Sequence, residues 1–461
     1  MVSITVSELA AVCGGVVVRD KGENFSGVSI DSRTVKPGNI FFALKGENFD
    51  GHDFIGNAFK AGAAGAVVEK RTGVPEEGTV ILVENTLAAL QKLAAWWRNK
   101  LAIPLVGITG SSGKTTTKDI LASLLYAAAN VHFNSGNQNN EIGVPLTLLS
   151  LSHEHDVCVL EMGMRGLGEI AELCSIARPT AGIITNVGST HFERLGSMDN
   201  IALAKGELAE SLPKEGFILL NGENEWSPFI KSRTQARSVF FGFGDNAEVR
   251  AGKVEFFPEH TEFSLEAFGF SGRLRLPLWG KHNVYNCLAA AGAYLLLGFP
   301  GEKLQQGLDK LTVTGMRLEK TTGIRGATII NDTYNANPDS VISSLGVLRQ
   351  IEGKRRVAVL GDMFELGPIA EAEHRRVGES VCRLNPDLLV TVGELARYIG
   401  EGAVACGMDE SRVFHGATIQ EAVEMLKKYI DMGDVVLVKG SRGMRMERIV
   451  SGLQLEGDHH V

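Results

Sequence analysis

Residues 109–115 read Thr-Gly-Ser-Ser-Gly-Lys-Thr, and they directly follow the apolar run of residues 103–108. An apolar run that leads into a glycine-rich turn and a Lys-Thr pair is typical of a phosphate-binding loop between a buried strand and a helix. Glycines let backbone N–H groups approach a polyphosphate closely, and the N-terminus of the next helix adds positive potential. The stretch therefore predicts a nucleoside-triphosphate site, but it does not indicate how the triphosphate is used.

Several residues of this loop have a predicted role. Lys114 can reach the β and γ phosphates, and the hydroxyl of Thr115 can bind Mg²⁺. The general pattern has a glycine five positions before Gly113, where this chain has Ile108, so the loop is a shortened form. A glycine-serine turn that precedes a lysine by chance is disfavoured, because a strand and a helix are predicted on either side. The other residues predicted to contact the nucleotide here are Gly110, Ser111, Ser112 and Thr116.

The composition indicates a globular chain of several domains. It has 461 residues, of which 44% are hydrophobic and 22% charged, which is enough for roughly three domains of about 150 residues each. The net charge is -8, and no dense Lys/Arg stripe with interleaved aromatic residues is present. Nucleic-acid binding is therefore not expected.

The cysteine pattern and the apolar segments bear on the compartment. The six cysteines show no Cys-x-x-Cys spacing, which disfavours both a metal site and a disulfide framework. The N-terminus lacks a basic region followed by an apolar stretch, and the longest apolar segment, residues 288–299, is shorter than the roughly 20 residues that cross a bilayer. We expect a soluble, cytoplasmic protein with reduced cysteines and no membrane insertion.

The pattern of apolar runs predicts an α/β fold with three domains. Residues 1–102 contain short strands and a helix that begins with Thr86 as its cap, which indicates a small α/β domain. Residues 103–314 alternate apolar strands with helices, as in a parallel sheet covered on both faces, and residues 237–278 are predicted to form an antiparallel appendage. Residues 315–461 predict a Rossmann-like α/β domain without the Gly-x-Gly-x-x-Gly fingerprint.

Three side chains downstream of the loop are candidates for chemistry. Glu161 ends an apolar strand at the sheet edge where Mg²⁺ would be held, although an acid can also simply end a strand at the surface. His191 follows the next strand, and the neighbouring sequence alone favours a structural role and a ligating role equally. Lys205 has apolar neighbours on a predicted helix, which favours a partly buried, reactive lysine over a solvated one.

The segments near the second domain boundary carry further polar residues. Asn283, at the start of a helix, could cap that helix or contact a base. Arg317, on the interdomain linker, could swing onto phosphates or lie on the surface. Residues 331–338 read Asn-Asp-Thr-Tyr-Asn-Ala-Asn-Pro, a density of Asn and Asp that is unusual even for a turn.

Taken together, these motifs resemble the Mur ligase family, the ATP-dependent amide-forming enzymes of peptidoglycan precursor synthesis. The resemblance spans nearly the whole chain, since the motifs follow one another with family-like spacings. It implies that Glu161 and His191 bind Mg²⁺ and that Lys205 is carbamylated to help place it. The positions implied to contact ATP are Asn283, Arg317, Asp332 and Asn335.

Further segments narrow the resemblance. Residues 137–145, 334–338 and 361–367 are similar to family members that add D-alanyl-D-alanine to UDP-N-acetylmuramoyl-tripeptide, and the Asp-Asn-Pro-Arg motif of the tripeptide-forming members is absent. The N-terminal motifs are similar to a uridine-nucleotide-binding domain. The resemblance implies these two small-molecule substrates and a monomeric enzyme. The residues it implies for substrate binding are Ser32, Arg33, Lys45, Gly46, Asp50, His52, Asn139, Asn140 and Asn337, and Lys439 and Ser441 are added because they follow a strand end at the same cleft.

Two alternatives remain open from the sequence. One is another amino-acid-adding enzyme of the same family, such as a tripeptide-forming ligase or a folylpolyglutamate synthetase. The other is a P-loop switch or motor that hydrolyses a nucleotide in order to change partners. A requirement for an amine acceptor distinguishes the two alternatives, because a switch or motor needs no acceptor.

Overall fold

The computed structural model describes residues 2–22, 24–71 and 73–454. Its strands form three main sheets, which follow one another along the chain, and a two-stranded ribbon at the N-terminus. Within the described residues, none of the helices combines the length and the apolar character needed to cross a membrane. The α/β class and the three-domain architecture predicted from the sequence are confirmed.

The N-terminal sheet has five strands in the order β2-β7-β6-β5-β4, parallel except for the antiparallel edge strand β2. Its elements, with the ribbon formed by β1 and β3, are β1 Ser3–Ile4, α1 Val6–Cys13, β2 Val16–Arg19, β3 Phe25–Ser26, β4 Val28–Ser29, β5 Ile40–Phe42, α2 Ile55–Lys60, β6 Gly65–Val68, β7 Thr79–Leu82 and α3 Thr86–Asn99. The cap of α3 was predicted wrongly. Asn85 is the cap, because its side chain accepts a hydrogen bond from the Ala88 N–H, while Thr86 is the first helical residue.

The central sheet has nine strands in the order β16-β15-β14-β13-β12-β11-β8-β10-β9. The elements of this region are β8 Leu105–Thr109, α4 Lys114–Tyr126, β9 Val131–Phe133, α5 Gly143–Ser150, β10 Val157–Glu161, α6 Glu169–Ala177, β11 Ala181–Ile184, α7 Phe192–Leu195, α8 Met198–Glu210, β12 Phe217–Asn221, α9 Ser227–Lys231, β13 Arg237–Gly242, β14 Val249–Phe256, β15 Thr261–Ala267, β16 Phe270–Leu276, α10 Lys281–Leu296 and α11 Leu304–Leu308. Strands β8 to β14 pair in parallel, so the helices between them cover both faces.

The antiparallel appendage predicted for residues 237–278 is only partly present. β13 and β14 pair in parallel with the preceding strands, and only β15 and β16 are antiparallel. They extend the central sheet and do not form a separate unit. The alternation of polar and apolar residues indicates that a strand has one exposed face, but it does not indicate which strand pairs with it in the sheet.

The C-terminal sheet has six strands in the order β17-β18-β22-β19-β20-β21, parallel except for the edge strand β17. Its elements are β17 Glu319–Thr322, β18 Thr328–Asn331, α12 Pro338–Gln350, β19 Arg356–Gly361, α13 Ala370–Leu384, β20 Leu388–Val392, α14 Arg397–Ala405, β21 Val413–Gly416, α15 Ile419–Tyr429, β22 Val435–Lys439 and α16 Glu447–Leu453. The predicted boundaries at residues 102 and 314 fall in the segments between α3 and β8 and between α11 and β17. We keep those boundaries as a proposal.

Three strands at the centre of the middle sheet position the site. β8 lies between β10 and β11, with Ile108 opposite Glu161 and Thr109 opposite Ile184. Because the strands are parallel, their carboxyl ends open at one edge of the sheet, where ligands bind in α/β folds. The phosphate-binding loop, Glu161 and the segment that follows β11 therefore meet at this edge.

Candidate active site

The loop of residues 110–113 connects β8 to α4 as the sequence predicts. Gly113 has a positive φ of 79°, and a Cβ there would collide with the side-chain oxygen of Asn286, so the position requires glycine. Lys114 Nζ donates a hydrogen bond to the Gly110 carbonyl at 2.6 Å. Desolvation lowers the pKa of Lys114, and the nearby charge of Glu161 opposes that shift. The lysine is thus held over the loop that is predicted to bind phosphates.

The segment after β11 supports the loop through hydrogen bonds. The Ser111 N–H donates to the Asn186 carbonyl at 3.0 Å, and the Ser112 N–H donates to the Asn186 side-chain oxygen at 2.9 Å. The Ser111 hydroxyl donates to the Gly188 carbonyl at 2.9 Å. No role was predicted for Asn186 from the sequence, although its position directly after a strand of the same sheet indicates that it lies at the edge where ligands bind.

Glu161 ends β10 and is buried, with 4% of its surface exposed. Its Oε1 accepts a hydrogen bond from Asn139 Nδ2 at 2.7 Å, whereas its Oε2 has no hydrogen-bond partner among the described residues. A buried carboxylate oxygen without a partner is costly unless a ligand or cation completes it. The chemistry of this atom fits a divalent cation. Asn139, predicted to bind substrate, here positions Glu161.

His191 lies at the N-terminus of α7 with a positive φ of 66°, which few non-glycine residues adopt. Its Nδ1 lies 2.5 Å from Oε2 of Glu365, within ion-pair distance but outside the alignment that a hydrogen bond requires. Burial lowers the pKa of His191, and Glu365 works in the opposite direction. The pKa of Glu365 is lowered, mainly because of His191. The sequence analysis assigned no role to Glu365.

Lys205 lies on α8 and is buried, with 1% of its surface exposed. Within the described part of the chain, its ammonium has no hydrogen bond or ion pair. Desolvation lowers the pKa of Lys205 well below its usual value, and the charge of Lys114 adds to this effect. The burial agrees with the prediction that Lys205 is not a solvated surface lysine, and its reactivity stays a prediction.

Arg317 reaches from the linker into the cleft. Its Nη2 donates to the Thr115 hydroxyl at 2.7 Å, and its guanidinium lies 4.1 Å from the ring centre of Tyr334. The surface alternative for Arg317 is therefore excluded, and its side chain contacts the residue that follows Lys114 in the chain. The contact also places a positive charge on the hydroxyl that is predicted to bind Mg²⁺.

Asp332 and Lys439 form a buried ion pair, with Lys439 Nζ 2.6 Å from Asp332 Oδ2. Lys439 also donates to the Asn335 carbonyl at 3.0 Å, and Ser344 donates to Asp332 at 2.6 Å. Lys439 was predicted to contact substrate, but here it holds the loop that carries Asp332 and Asn335. Nearby, desolvation lowers the pKa of His282 to about 4, so this imidazole is neutral at physiological pH.

Asn283 does not cap its helix, contrary to one of the two predictions for it. The helix α10 begins at Lys281 after Gly280, and Asn283 lies inside its first turn. Its side chain donates to the Trp279 carbonyl at 2.8 Å and accepts from Asn286 at 3.0 Å. The role in nucleotide binding stays a prediction.

Asn337 and Ser441 lie where the C-terminal domain faces the loop. Asn337 caps α12 through its side-chain oxygen, and its Nδ2 donates to the Thr190 hydroxyl at 3.0 Å. Ser441 accepts a hydrogen bond from the Phe364 N–H at 2.9 Å. Both were predicted to bind substrate, and both make structural contacts at the edge of the cleft.

A cleft of about 1100 Å³ lies between the central and C-terminal domains. Among the predicted residues, it is lined by Ser111, Ser112, Gly113, Lys114, Thr115, Thr116, Asn139, Asn140, Glu161, His191, Asn283, Arg317, Asp332, Asn335, Asn337, Lys439 and Ser441. No group of three or more His, Cys, Asp or Glu side chains suited to a metal occurs in residues 2–22, 24–71 and 73–454. A cation at Glu161 would therefore draw its other ligands from the Thr115 hydroxyl, the His191 imidazole and phosphate oxygens.

The predicted uridine-binding residues lie outside this cleft. These are Ser32, Arg33, Lys45, Gly46, Asp50 and His52, all in the N-terminal domain. Arg33 forms an exposed ion pair with Asp31 at 2.6 Å. His52 Nδ1 lies 2.5 Å from Asp50 Oδ1, and its Nε2 accepts the Glu69 N–H at 2.9 Å. Asp50 and His52 thus form a connected pair that could hold a distant part of a long substrate.

The fold and the cleft define a three-domain enzyme with a phosphate-binding loop, in which the last domain faces the nucleotide site of the middle one. Three family models match in order: "Mur ligase family, catalytic domain" over residues 24–98, "Mur ligase middle domain" over residues 108–294, and "Mur ligase, glutamate ligase domain" over residues 316–442. The chain belongs to the Mur ligase family.

Individual relatives cover the whole length. A Bacillus subtilis protein named UDP-N-acetylmuramoyl-tripeptide--D-alanyl-D-alanine ligase is 37% identical, over 98% of this chain and 99% of its own. The crystal structure of MurF from Acinetobacter baumannii is 32% identical and covers 98% of both chains with a TM-score of 0.90. The MurF ligase from Thermotoga maritima in complex with ADP is 29% identical, covers 92% of this chain and 96% of its own, and has a TM-score of 0.81.

Proposed function

We propose that this protein joins D-alanyl-D-alanine to UDP-N-acetylmuramoyl-tripeptide and converts ATP to ADP and phosphate in the same reaction. The observation that carries the proposal is the meeting of Lys114, Glu161, His191 and Arg317 in one cleft between two domains. The names of the relatives that match along nearly the full chain support the same substrates. A nucleotide switch is less well supported, because it does not explain a second α/β domain and an N-terminal domain around the site.

The residues support a mechanism through an acyl phosphate. The terminal carboxylate of the tripeptide attacks the γ-phosphorus of ATP, and ADP leaves. The amine of D-alanyl-D-alanine then attacks the acyl carbon, and phosphate leaves with the formation of the amide. Lys114 and the N-terminus of α4 offset the charge on the transferred phosphoryl group, since phosphoryl transfer depends mainly on positioning and electrostatics. Arg317 can move from Thr115 to a phosphate oxygen over a short distance.

Glu161, Thr115 and His191 would hold the Mg²⁺ that accompanies ATP. When bound, this ion supplies further neutralisation of phosphate charge. The unpartnered Oε2 of Glu161 supports this assignment. Lys205, which is buried close to the site, would be carbamylated: its neutral amine adds to dissolved CO2 and releases a proton, and the resulting anionic carbamate can help to place the cation.

The N-terminal domain would hold the uridine nucleotide through the residues around Arg33, Lys45 and the pair of Asp50 and His52. Their position outside the cleft fits a long substrate whose nucleotide end and peptide end bind at separate places. We further propose that the enzyme is cytoplasmic, since both proposed substrates are soluble small molecules, and that it is monomeric, since its central cleft is formed between two domains of one chain.

An amine panel tests the proposed function. Phosphate release and the peptide product are measured with ATP and, in turn, D-alanyl-D-alanine, D-alanine, a diamino acid and no amine, each with UDP-N-acetylmuramoyl-tripeptide, with UDP-muramoyl-dipeptide and with neither. Product is expected only when UDP-N-acetylmuramoyl-tripeptide and D-alanyl-D-alanine are both present. Turnover of UDP-muramoyl-dipeptide with a diamino acid would assign the chain to a tripeptide-forming activity. Steady ATP hydrolysis without any peptide would support the nucleotide switch.

A further inference from the structure

The loop that follows β19 crosses from the C-terminal domain to the central domain. Its residue Glu365 lies 2.5 Å from His191 through the side chains, and the backbone of the same residue is also engaged: the Glu193 N–H donates to the Glu365 carbonyl at 3.1 Å. Gly367 packs against Glu193, because a Cβ at Gly367 would lie 3.0 Å from the Glu193 backbone. One short loop therefore contacts α7 by side chain, by backbone and by close packing.

Both ends of this contact have unusual backbone geometry. His191 has a φ of 66° and Glu365 a φ of 64°, and neither is glycine. Such conformations carry a free-energy cost of about 1–3 kcal/mol each, and they persist where the surrounding structure requires them. Two such residues that meet across a domain interface indicate that the orientation of these side chains matters.

From these contacts we propose that Glu365 is a positioning residue for His191. A negatively charged carboxylate 2.5 Å from one ring nitrogen favours the proton on that nitrogen, here Nδ1, by electrostatic attraction, and it restricts the ring orientation even without hydrogen-bond alignment. The lone pair is then on Nε2, which is the form in which an imidazole ligates a cation. His191 belongs to the central domain and Glu365 to the C-terminal domain, so His191 is correctly prepared only while the two domains are in contact.

The role proposed for Glu365 rests on the proposed function only where it predicts an effect on the kinetics of ligation. The orientation of the imidazole is a property of the protein without substrates, whereas amide formation depends on the whole site. The two ideas can therefore fail separately. If no amide forms in the wild-type protein, the proposed function fails, while the state of the His191 ring can still be measured.

The first test uses the imidazole itself. Nitrogen NMR of histidine-labelled protein, with the His191 signals assigned from a His191→Gln variant, reports which ring nitrogen carries the proton. We expect the Nδ1-protonated form in the wild type and its loss in Glu365→Gln. Glu371→Gln is the matched control, because it makes the same change on α13 in an ion pair with Arg375, within the C-terminal domain. An unchanged His191 signal in Glu365→Gln would overturn the proposal.

The second test uses kinetics. Loss of the group that orients a metal-ligating histidine costs on the order of 10- to 100-fold in cation affinity. We expect the Mg²⁺ concentration for half-maximal ligation to rise by about that factor in Glu365→Gln, with an unchanged KM for D-alanyl-D-alanine. In a His191→Gln background the same change should have no further effect. Equal losses in both backgrounds, or a loss confined to the peptide KM, would show that Glu365 has only a structural role.

Discussion

The central domain has two interfaces of opposite chemistry. Toward the N-terminal domain it shares one apolar core, in which Leu90, Leu93 and Trp97 of α3 pack in the same cluster as Leu105 of β8 and Leu148 of α5. Toward the C-terminal domain it presents mainly polar groups, although Trp279 of the central domain packs into one of the two apolar cores of the C-terminal domain. Apolar burial is non-directional and stable, whereas polar contacts can be exchanged for contacts with a ligand.

The polar interface includes three side-chain contacts at the cleft. Arg317 contacts Thr115, Asn337 contacts Thr190, and Glu365 contacts His191. Each of these pairs includes a residue that is predicted to serve the nucleotide, the cation or the substrate. This difference indicates that the boundary with the N-terminal domain is a rigid scaffold, whereas the boundary with the C-terminal domain forms the proposed reaction site.

The largest effect is expected from a change at the cleft. Lys114→Met removes the charge that faces the phosphates and should reduce kcat for ligation by about 1000-fold, as the loss of a preorganised charged group does. Folding should remain intact, because the lysine bonds only to the loop carbonyl of Gly110. Phosphate release and thermal unfolding measure the two properties. A comparable loss in Lys100→Met, which changes an exposed lysine at the end of α3 that does not line the cleft, would contradict a specific role.

A change at the apolar interface should instead affect stability. Leu93 is fully buried in the shared core, so Leu93→Ala should lower the free energy of unfolding by about 2–5 kcal/mol. Denaturant unfolding followed by tryptophan fluorescence is the measurement, and kcat of the folded fraction should stay within a few-fold of wild type. The exposed neighbour Lys92→Ala is the control. If Leu93→Ala lowers kcat as much as Lys114→Met does, the apolar interface does more than stabilise the fold, and the contrast between the two interfaces is wrong.

Lys205 tests whether the buried lysine belongs to the reaction site. Lys205→Ala should lose about 100-fold in activity, since a group that helps to place charge for phosphoryl transfer is removed. Short carboxylates such as formate or acetate should restore part of this activity, because they can occupy the space of a carbamate. Activity close to wild type without any carboxylate would rule out the proposed role.

The smallest effect is expected from a single contact across the cleft. Asn337→Ser keeps an oxygen that can cap α12 but is too short to reach Thr190, whereas Asn337→Ala loses both contacts. The serine variant should retain its stability to within about 0.5 kcal/mol and lose only a few-fold in kcat/KM, while the alanine variant should also lose about 1 kcal/mol of stability. Equal stability losses would show that the cap does not explain the difference.

The sequence predicted the local elements of the site well. The strand β8, the loop at 109–115 and Glu161 at the end of β10 depend on neighbouring residues, and each was placed correctly. The cap of α3 and the pairing of β13 and β14 were predicted wrongly, because several residues near a helix start can cap it and because strand neighbours are decided by distant parts of the chain.

The contacts across the cleft could not be predicted. Glu365 lies far along the chain from His191, and nothing in its own segment reports that the two meet. The same holds for Lys439, whose buried pairing with Asp332 depends on the order of β18 and β22 in the C-terminal sheet. Residue types and spacings identify which groups can do chemistry, but the fold decides which of them contact one another.

The central claim is that the apolar interface is fixed and that the polar interface responds to substrates. Distances between spin labels on exposed positions test it directly, with labels at Lys60 in the N-terminal domain, Ser232 in the central domain and Lys428 in the C-terminal domain, in a chain whose exposed Cys406 is replaced. On addition of a non-hydrolysable ATP analogue, Mg²⁺ and UDP-N-acetylmuramoyl-tripeptide, the distance from Ser232 to Lys428 should change or its distribution should narrow, while the distance from Lys60 to Ser232 should remain the same. A change confined to the distance from Lys60 to Ser232 would contradict the claim.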